Sequence, residues 1–252
     1  GGYKTAFVLI CLKTRAKFKV DLTKKTANGN AFKSIMSENG VTKLPYKCTI
    51  YTDGDGAMVH VKRAAEHELD INHVYIPPHE QSLNEAEKVC DRMWAAGRTH
   101  LIASGAPERL MPFAVGYAFY VDMRMATTAS RNWLTPHEQI RDIVPSIAHI
   151  RPFYTAAHVT VPKAKRKKLK QQGKAAQRAE TGRLIGFQDT FSNTYKVMLD
   201  GNRLVHSINV TFDLDNTSVA PAARSDPPAN DLPIGTDLDI PFADTTTRAT
   251  TG

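Results

Sequence analysis

Residues 5–22 read TAFVLICLKTRAKFKVDL, and this stretch decides how the fold begins. The apolar run Thr5–Leu12 predicts a buried strand. In Ala16–Leu22 apolar residues alternate with two lysines and an aspartate, which is typical of a strand with one face in the core. A short polar link joins the two segments, so the sequence predicts a β-hairpin with Cys11 near the end of its first strand.

The next segments predict a mixed α/β order. In chain order we expect a helix-compatible stretch at Asn30–Ser37, a strand at Tyr46–Tyr51, a turn at Thr52–Gly56, a helix-compatible segment at Ala57–Leu69 and a strand at Asn72–Ile76. The pair Pro77-Pro78 ends that strand. This order excludes an all-α or all-β region at the start of the chain.

Two long helices follow. Ser82-Leu83-Asn84-Glu85 fits a capping box, with Ser82 as N-cap, and an apolar stripe continues to about Ala96. Pro107 opens a second helix that runs to about Met125. On the first helix, Lys88 and Arg92 lie one and two turns after Glu85.

Residues 150–215 have a different pattern. Ala156–Val161, Gly182–Gln188, Tyr195–Leu199 and Arg203–Phe212 are strand-like and are separated by turn residues. They predict a small β-barrel-like module. The final stretch, 216–252, is rich in Pro, Asp, Thr and Ala without periodicity, so we expect a disordered acidic tail.

The charge of the 252-residue chain is concentrated in the β-rich part. The whole chain carries 33 Lys or Arg and 25 Asp or Glu, a formal charge of +8, and residues 150–215 contain 12 basic against 5 acidic side chains. Such a surplus favours a polyanionic partner. The apolar runs are too short to span a membrane, and three scattered cysteines favour a reduced, intracellular protein.

Two carboxylates occupy positions suited to chemistry. Asp53 follows a predicted strand beside glycines, and Glu85 lies in the first turn of a helix. Converging carboxylates hold Mg²⁺ or Mn²⁺, which prefer oxygen ligands. The alternatives are an ordinary Asp-Gly turn and a capping glutamate. No nucleophile-elbow, P-loop or zinc-protease motif is present, and Ala57 occupies an expected ligand position of a calcium loop.

A basic run interrupts the β-rich part. It comprises Lys163, Lys165, Arg166, Lys167, Lys168, Lys170 and Lys174. Each cation that neutralises a phosphate releases counterions, which gives salt-sensitive binding to nucleic acid without sequence preference. A solvated loop or a nuclear import signal explains the same run.

Several motifs, in order, resemble the integrase of copia-type LTR retrotransposons over residues 2–214. They are Gly2-Tyr3-Lys4 with the strand and Thr14-Arg15, then Thr52–Gly56, Pro78–Glu85, Leu134–Glu138, Pro145–Phe153, Lys165–Leu169, Gly182–Phe187 and Val210–Asp213. The resemblance implies an α/β fold with an RNase H-like mixed sheet and flanking helices (1–148), a basic SH3-like barrel module (149–215) and the tail (216–252).

The resemblance also implies a D, D, E triad with two Mg²⁺ ions. Asp53 matches the second aspartate and Glu85 the glutamate, whereas Cys11 occupies the position of the first aspartate. A neutral thiol is a poor Mg²⁺ ligand, so Asp21 or Asp55 would have to supply the third carboxylate.

The leading hypothesis is a retrotransposon integrase-like enzyme that integrates DNA by metal-dependent strand transfer. Asp53 and Glu85 would hold Mg²⁺ or Mn²⁺, and Lys88, Arg92 and the basic run would bind double-stranded DNA. The alternative is a catalytically degenerate integrase-like fold that serves as a DNA-binding or assembly module. Both versions predict a nuclear homo-oligomer with neither a membrane nor a small-molecule partner.

Overall fold

The structure is a computed structural model that describes residues 5–41, 47–77, 84–126, 133–161 and 178–213. All of these residues belong to one compact unit that spans 1–219. The predicted tail, 216–252, lies outside the described residues. Within the described ranges, no helix is both long enough and apolar enough to cross a bilayer.

The predicted hairpin is present. Strand β1 (Thr5–Ile10) pairs antiparallel with β2 (Lys17–Leu22), with Thr5 opposite Leu22 and Ile10 opposite Lys17. The first strand is two residues shorter than predicted, because the amide of Cys11 already donates to the Ala16 carbonyl and starts the turn.

A parallel pair of strands follows, connected through helical segments. The elements are α1 (Asn28–Glu38), β3 (Thr49–Thr52), α2 (Val59–Arg63) and β4 (Asn72–Tyr75), and β3 pairs parallel with β4. The single helix predicted over 57–69 is divided into a 3₁₀ turn, α2 and a π-helical turn (Ala64–Glu68). The described residues form separate β1–β2 and β3–β4 ladders, so one mixed RNase H-like sheet stays a prediction.

Helices α3 (Glu85–Ser104) and α4 (Met111–Asp122) pack against each other. The first extends eight residues beyond its predicted end and terminates at Gly105, whose positive φ of 62° is a conformation that glycine adopts without strain. A short helix, α5 (Pro136–Arg141), follows and carries a capping box between Thr135 and Glu138.

The β-rich part forms a five-stranded antiparallel sheet. Its strands are β5 (Ala156–Thr160), β6 (Ala179–Phe187), β7 (Tyr195–Leu199), β8 (Arg203–Ser207) and β9 (Val210–Phe212), in the order β8-β7-β6-β5-β9. The single strand predicted over 203–212 is wrong, since its halves pair with different neighbours. Strands β8 and β9 lie at opposite edges of the sheet, yet only Ile208 and Asn209 separate them, so the sheet must curl strongly.

Three hydrophobic clusters each include residues of α4 or its C-cap, Met123. One face of the hairpin, with Phe7 and Phe18, packs towards α1, whereas Val8 and Ile10 on the other face pack against α3 and α4. The third cluster joins Tyr117 of α4 to the inner side of the five-stranded sheet. Helix α4 and its C-cap therefore contribute to the interior on all sides.

Candidate functional site

The turn of the hairpin places Cys11 at the position expected from the sequence. Its carbonyl accepts from the amide of Arg15 at 2.8 Å, and Arg15 has a left-handed backbone with φ of 58°. The half-buried thiol of Cys11 packs against the cluster on the α1 side of the hairpin. This turn aims the Arg15 guanidinium at the start of α3.

Glu85 lies in the first turn of α3, as predicted, but the helix begins at Glu85 itself, two residues later than a Ser82 N-cap implies, and Glu85 does not cap it. Asn84 is the N-cap, and its side-chain oxygen accepts from the Glu87 amide at 3.3 Å. The predicted capping box is therefore wrong, and its proposed N-cap, Ser82, lies outside the described residues. Because the amide oxygen of Asn84 satisfies this end of the helix, the Glu85 carboxylate is left for other partners.

Two cations hold the Glu85 carboxylate. Oε2 accepts from Arg15 at 2.9 Å, and Oε1 accepts from Lys88 at 3.3 Å. These contacts lower the pKa of Glu85, and the hydrogen bond from Arg15 contributes more than the one from Lys88. Both carboxylate oxygens thus accept charge-assisted hydrogen bonds.

A second set of ion pairs lies beside the first. Lys17 of β2 is almost fully buried and pairs with Asp122 at the end of α4, which also lies 3.7 Å from the Arg92 guanidinium. Burial lowers the pKa of Lys17, although the hydrogen bond to Asp122 opposes this effect. We call these groups together the charged cluster: Arg15, Lys17, Glu85, Lys88, Arg92 and Asp122. It contains four cations and two carboxylates, an excess of two positive charges.

Asp53 and Asp55 belong to a turn. Asp53 directly follows β3, as predicted, and its carboxylate accepts from the Asp55 amide at 3.4 Å. Asp55 accepts from the Ala57 amide at 3.0 Å and pairs with Lys25 at 3.0 Å, and these contacts lower its pKa. Asp55 therefore caps the 3₁₀ turn, so its carboxylate already has partners.

Asp21 lies at the other end of the hairpin from Cys11. It is opposite Ala6 and pairs with Lys19. It lies four positions along β2 from Lys17, a distance of about 13 Å. The structure therefore does not bring Asp21 to the charged cluster.

The residues at Glu85 do not fit a Mg²⁺ ion in the observed arrangement. Magnesium prefers oxygen ligands in octahedral geometry, whereas position 11 offers a thiol and both Glu85 oxygens accept from cations. In the described ranges, no three His, Cys, Asp or Glu side chains form a group that suits a metal ion. Excess positive charge beside the carboxylate suits an anion better than a cation.

The predicted DNA-binding residues divide into two sets. Lys88 and Arg92 have exposed side chains on successive turns of α3. Lys163, Lys165, Arg166, Lys167, Lys168, Lys170 and Lys174 lie outside the described residues. The described residues that flank this segment are hydrogen-bonded to each other, since the amide of Val161 donates to the Arg178 carbonyl at 3.0 Å.

Sequence reasoning missed three members of the charged cluster. The alternation in β2 suggested a solvated face for Lys17, and nothing in the apolar α4 segment marked Asp122 as a partner. Arg15 entered only through the Thr14-Arg15 motif. One signal was available. Lys17 and Lys19 lie on the same face of β2, and the apolar α4 segment, which has to cover a face of the hairpin, ends in Asp122.

Comparisons with known proteins give little further guidance. No protein-family model matches the chain, and no curated protein matches it. Among solved structures, the chain is similar to a chain in the cryo-EM structure of the simian T-cell lymphotropic virus intasome in complex with PP2A regulatory subunit B56 gamma. The identity is 12%, the match covers 83% of this chain and 77% of that chain, and the TM-score is 0.38. A likeness at this TM-score does not establish a shared fold.

Proposed function

We propose that this chain is an integrase-like nucleic-acid-binding protein whose metal site has lapsed. One observation carries the proposal: Arg15 and Lys88 hold both oxygens of Glu85, the residue that matches the catalytic glutamate of copia-type integrases. The same position that would bind a cation in an active enzyme lies here between the guanidinium of Arg15 and the ammonium of Lys88. This supports the degenerate alternative over strand transfer.

The charged cluster would contact the phosphate backbone. Lys88 and Arg92 project from one exposed side of α3, and Arg92 is oriented by Asp122, which the buried Lys17 holds in turn. A guanidinium held in this way loses less side-chain entropy when it meets a phosphate. Cations in this arrangement bind nucleic acid through charge and position rather than through base identity.

The five-stranded sheet supports a second binding surface. Its strand order, in which β9 returns to the outer edge of β5, is the arrangement that we propose as an SH3-like barrel. In the sequence the basic run lies between β5 and β6, and the flanking residues Val161 and Arg178 are hydrogen-bonded to each other. Seven cations in this connection would bind duplex DNA in a salt-dependent way. We also propose that the protein is nuclear and that it self-assembles on DNA.

The second candidate is metal-dependent strand transfer by an RNase H-like core. The observation that favours it is position: Asp53 follows a strand, Glu85 lies in the first turn of a helix, and both match carboxylates of the copia-type triad. Activity would require Arg15 and Lys88 to release Glu85 and a further carboxylate to replace the thiol of Cys11.

Salt-dependent DNA binding tests the phosphate contacts. We expect the double variant Lys88→Gln/Arg92→Gln to bind a labelled duplex more weakly, with a slope of log affinity against log salt that is smaller by about 2 between about 50 and 200 mM salt. The matched control is Lys33→Gln/Lys47→Gln, which removes two exposed lysines that pair with Glu68 and Asp70. Equal slopes in the two variants would contradict contact at α3.

Plasmid nicking in Mn²⁺ separates the two candidates. We expect the natural chain not to nick the plasmid. The double variant Cys11→Asp/Arg15→Gln should gain Mn²⁺ binding, because it adds a carboxylate at position 11 and releases Oε2 of Glu85. Cys48→Asp/Arg15→Gln is the matched control, since Cys48 is another partly buried thiol. Mn²⁺-dependent nicking by the natural chain, lost in Glu85→Gln, would establish the enzyme and overturn the lapsed site.

A further inference from the structure

A cavity of about 100 Å³ lies where β2, α4, β6 and β7 meet, away from the charged cluster. Two glycines keep it open. A Cβ on Gly116 of α4 would have only the Lys19 ammonium within 4 Å, at 3.9 Å, and a Cβ on Gly186 would have nothing within 4 Å. Gly186 lies at a β-bulge with φ of 140°, a conformation restricted to glycine. The space accommodates several water molecules or one tetrahedral anion.

Two lysines face this cavity with different partners. The buried Lys19 ammonium donates to Asp21 and, at 3.2 Å, to the Pro112 carbonyl, which leaves one of its three hydrogens for another acceptor. Lys196 of β7 is half-buried, its Nζ lies 5.8 Å from the centre of the Phe113 ring, and within the described ranges this ammonium has neither a hydrogen bond nor an ion pair. Burial lowers the pKa of Lys196.

The carboxylates around the cavity interact with the Lys196 ammonium through space and have their hydrogen bonds elsewhere. Asp21 is engaged by Lys19, and Asp189 lies at the exposed rim, where its Oδ1 accepts from the amides of Phe191 and Ser192 at 2.8 and 2.7 Å. The lining therefore carries two ammonium groups and two carboxylates, and among the described residues neither carboxylate is hydrogen-bonded to Lys196. A partly desolvated ammonium without a hydrogen-bonded counterion is unfavourable, and an anion between the lysines would offset that cost.

We propose that this cavity binds a small oxyanion, with inorganic phosphate as the representative, between Lys19 and Lys196. The two lysines offer four N–H groups that no described acceptor uses, and charge-assisted hydrogen bonds from ammonium to phosphate oxygen are strong. The ligand would link the hairpin, α4 and the five-stranded sheet through these two side chains. Its binding would therefore stabilise the folded chain independently of any contact between DNA and α3.

Thermal unfolding in phosphate and in chloride of equal ionic strength tests the site. At phosphate tenfold above its dissociation constant, we expect the midpoint of the natural chain to rise by about 3 °C relative to chloride. Lys196→Met should lose this response and should unfold at a higher temperature than the natural chain in chloride, because it removes a partly desolvated ammonium that has no hydrogen-bonded counterion. Lys24→Met removes the same charge from an exposed position and should respond like the natural chain.

Calorimetric titration of the natural chain with phosphate supplies a measurement that needs no variant. One saturable site per chain supports the proposal, and an absence of saturable heat overturns it. An equal midpoint shift in Lys196→Met also overturns it. A shift produced by duplex DNA but not by phosphate would assign the lysines to a nucleic-acid backbone and would overturn the free oxyanion. Lys88→Gln/Arg92→Gln should keep the phosphate response, so failure of the DNA-binding proposal leaves this result unaffected.

Discussion

Replacing Gly97 with alanine tests how tightly α3 packs on α4. A Cβ at this position would lie 2.7 Å from Val115 Cγ2, 3.0 Å from the Val115 nitrogen and 3.2 Å from its Cα. Two of these atoms belong to the backbone, so a rotamer change of Val115 cannot relieve the contact. The helices would have to separate, and α3 carries Glu85 and Arg92 while α4 ends in Asp122.

The expected change in the free energy of unfolding of Gly97→Ala is the sum of two opposing effects. Overpacking a buried contact costs about 1–3 kcal/mol, whereas alanine is more favourable than glycine within a helix by about 1 kcal/mol. Gly97→Ala should therefore lower the free energy of unfolding by up to about 2 kcal/mol. Gly116→Ala is the matched control on α4, because its Cβ would meet only the Lys19 ammonium at 3.9 Å. It should raise that free energy by about 1 kcal/mol.

Urea unfolding in a chloride buffer without phosphate measures both variants. The expected difference between them, about 1–3 kcal/mol, isolates the overpacking term because the helix-propensity gain is common to both. Gly97→Ala should also weaken the contact between Arg92 and Asp122 and hence DNA binding. If Gly97→Ala is as stable as Gly116→Ala, the inferred close packing of α3 on α4 is wrong.

Two further predictions concern buried ionisable groups. Asp122→Asn should lower the free energy of unfolding, measured in urea, by about 3–5 kcal/mol, because it leaves the buried Lys17 without a carboxylate. Glu68→Gln, the control in an exposed ion pair, should lower it by at most about 1 kcal/mol. Equal losses in the two variants would refute the argument. Burial, and to a smaller extent the nearby Arg124, lower the pKa of His149 below its ordinary value of about 6.5. The contribution of neutral His149 to stability is therefore present above that pH and is lost as the pH falls. The urea midpoint should therefore decrease from about pH 7.5 to about 5.5, and His149→Gln should show a smaller decrease; parallel decreases would exclude this histidine.

The local elements were largely predictable from the sequence. The hairpin, the placement of Glu85 in the first turn of α3 and the strand Tyr195–Leu199 follow from periodicity and turn residues that act over a few positions. The strand predicted over 203–212 failed because its two halves pair with different neighbours, and that choice depends on how the sheet curls.

The site was less predictable, because its partners are distant in sequence. Arg15 is 70 positions from Glu85, and Lys17 is 105 positions from Asp122. Spacing indicated where Glu85 lies but gave no information on which cations would reach it. The burial of Lys17 depends on α4 covering the polar face of β2, and a strand pattern alone does not reveal the element that covers it.

Helix α4 has a consequence for how the chain can be divided. Its Tyr120 hydroxyl lies 2.6 Å from His149 Nε2 and donates towards the loop between β6 and β7, while its ring stacks on Phe187. A fragment that ends at residue 148 would retain this helix but expose Tyr117 and Tyr120, and the excised sheet would lose one wall of its core. Neither piece would be expected to remain monomeric. Recombination that exchanges the β-rich part between related chains would therefore succeed only when α4 is exchanged with it.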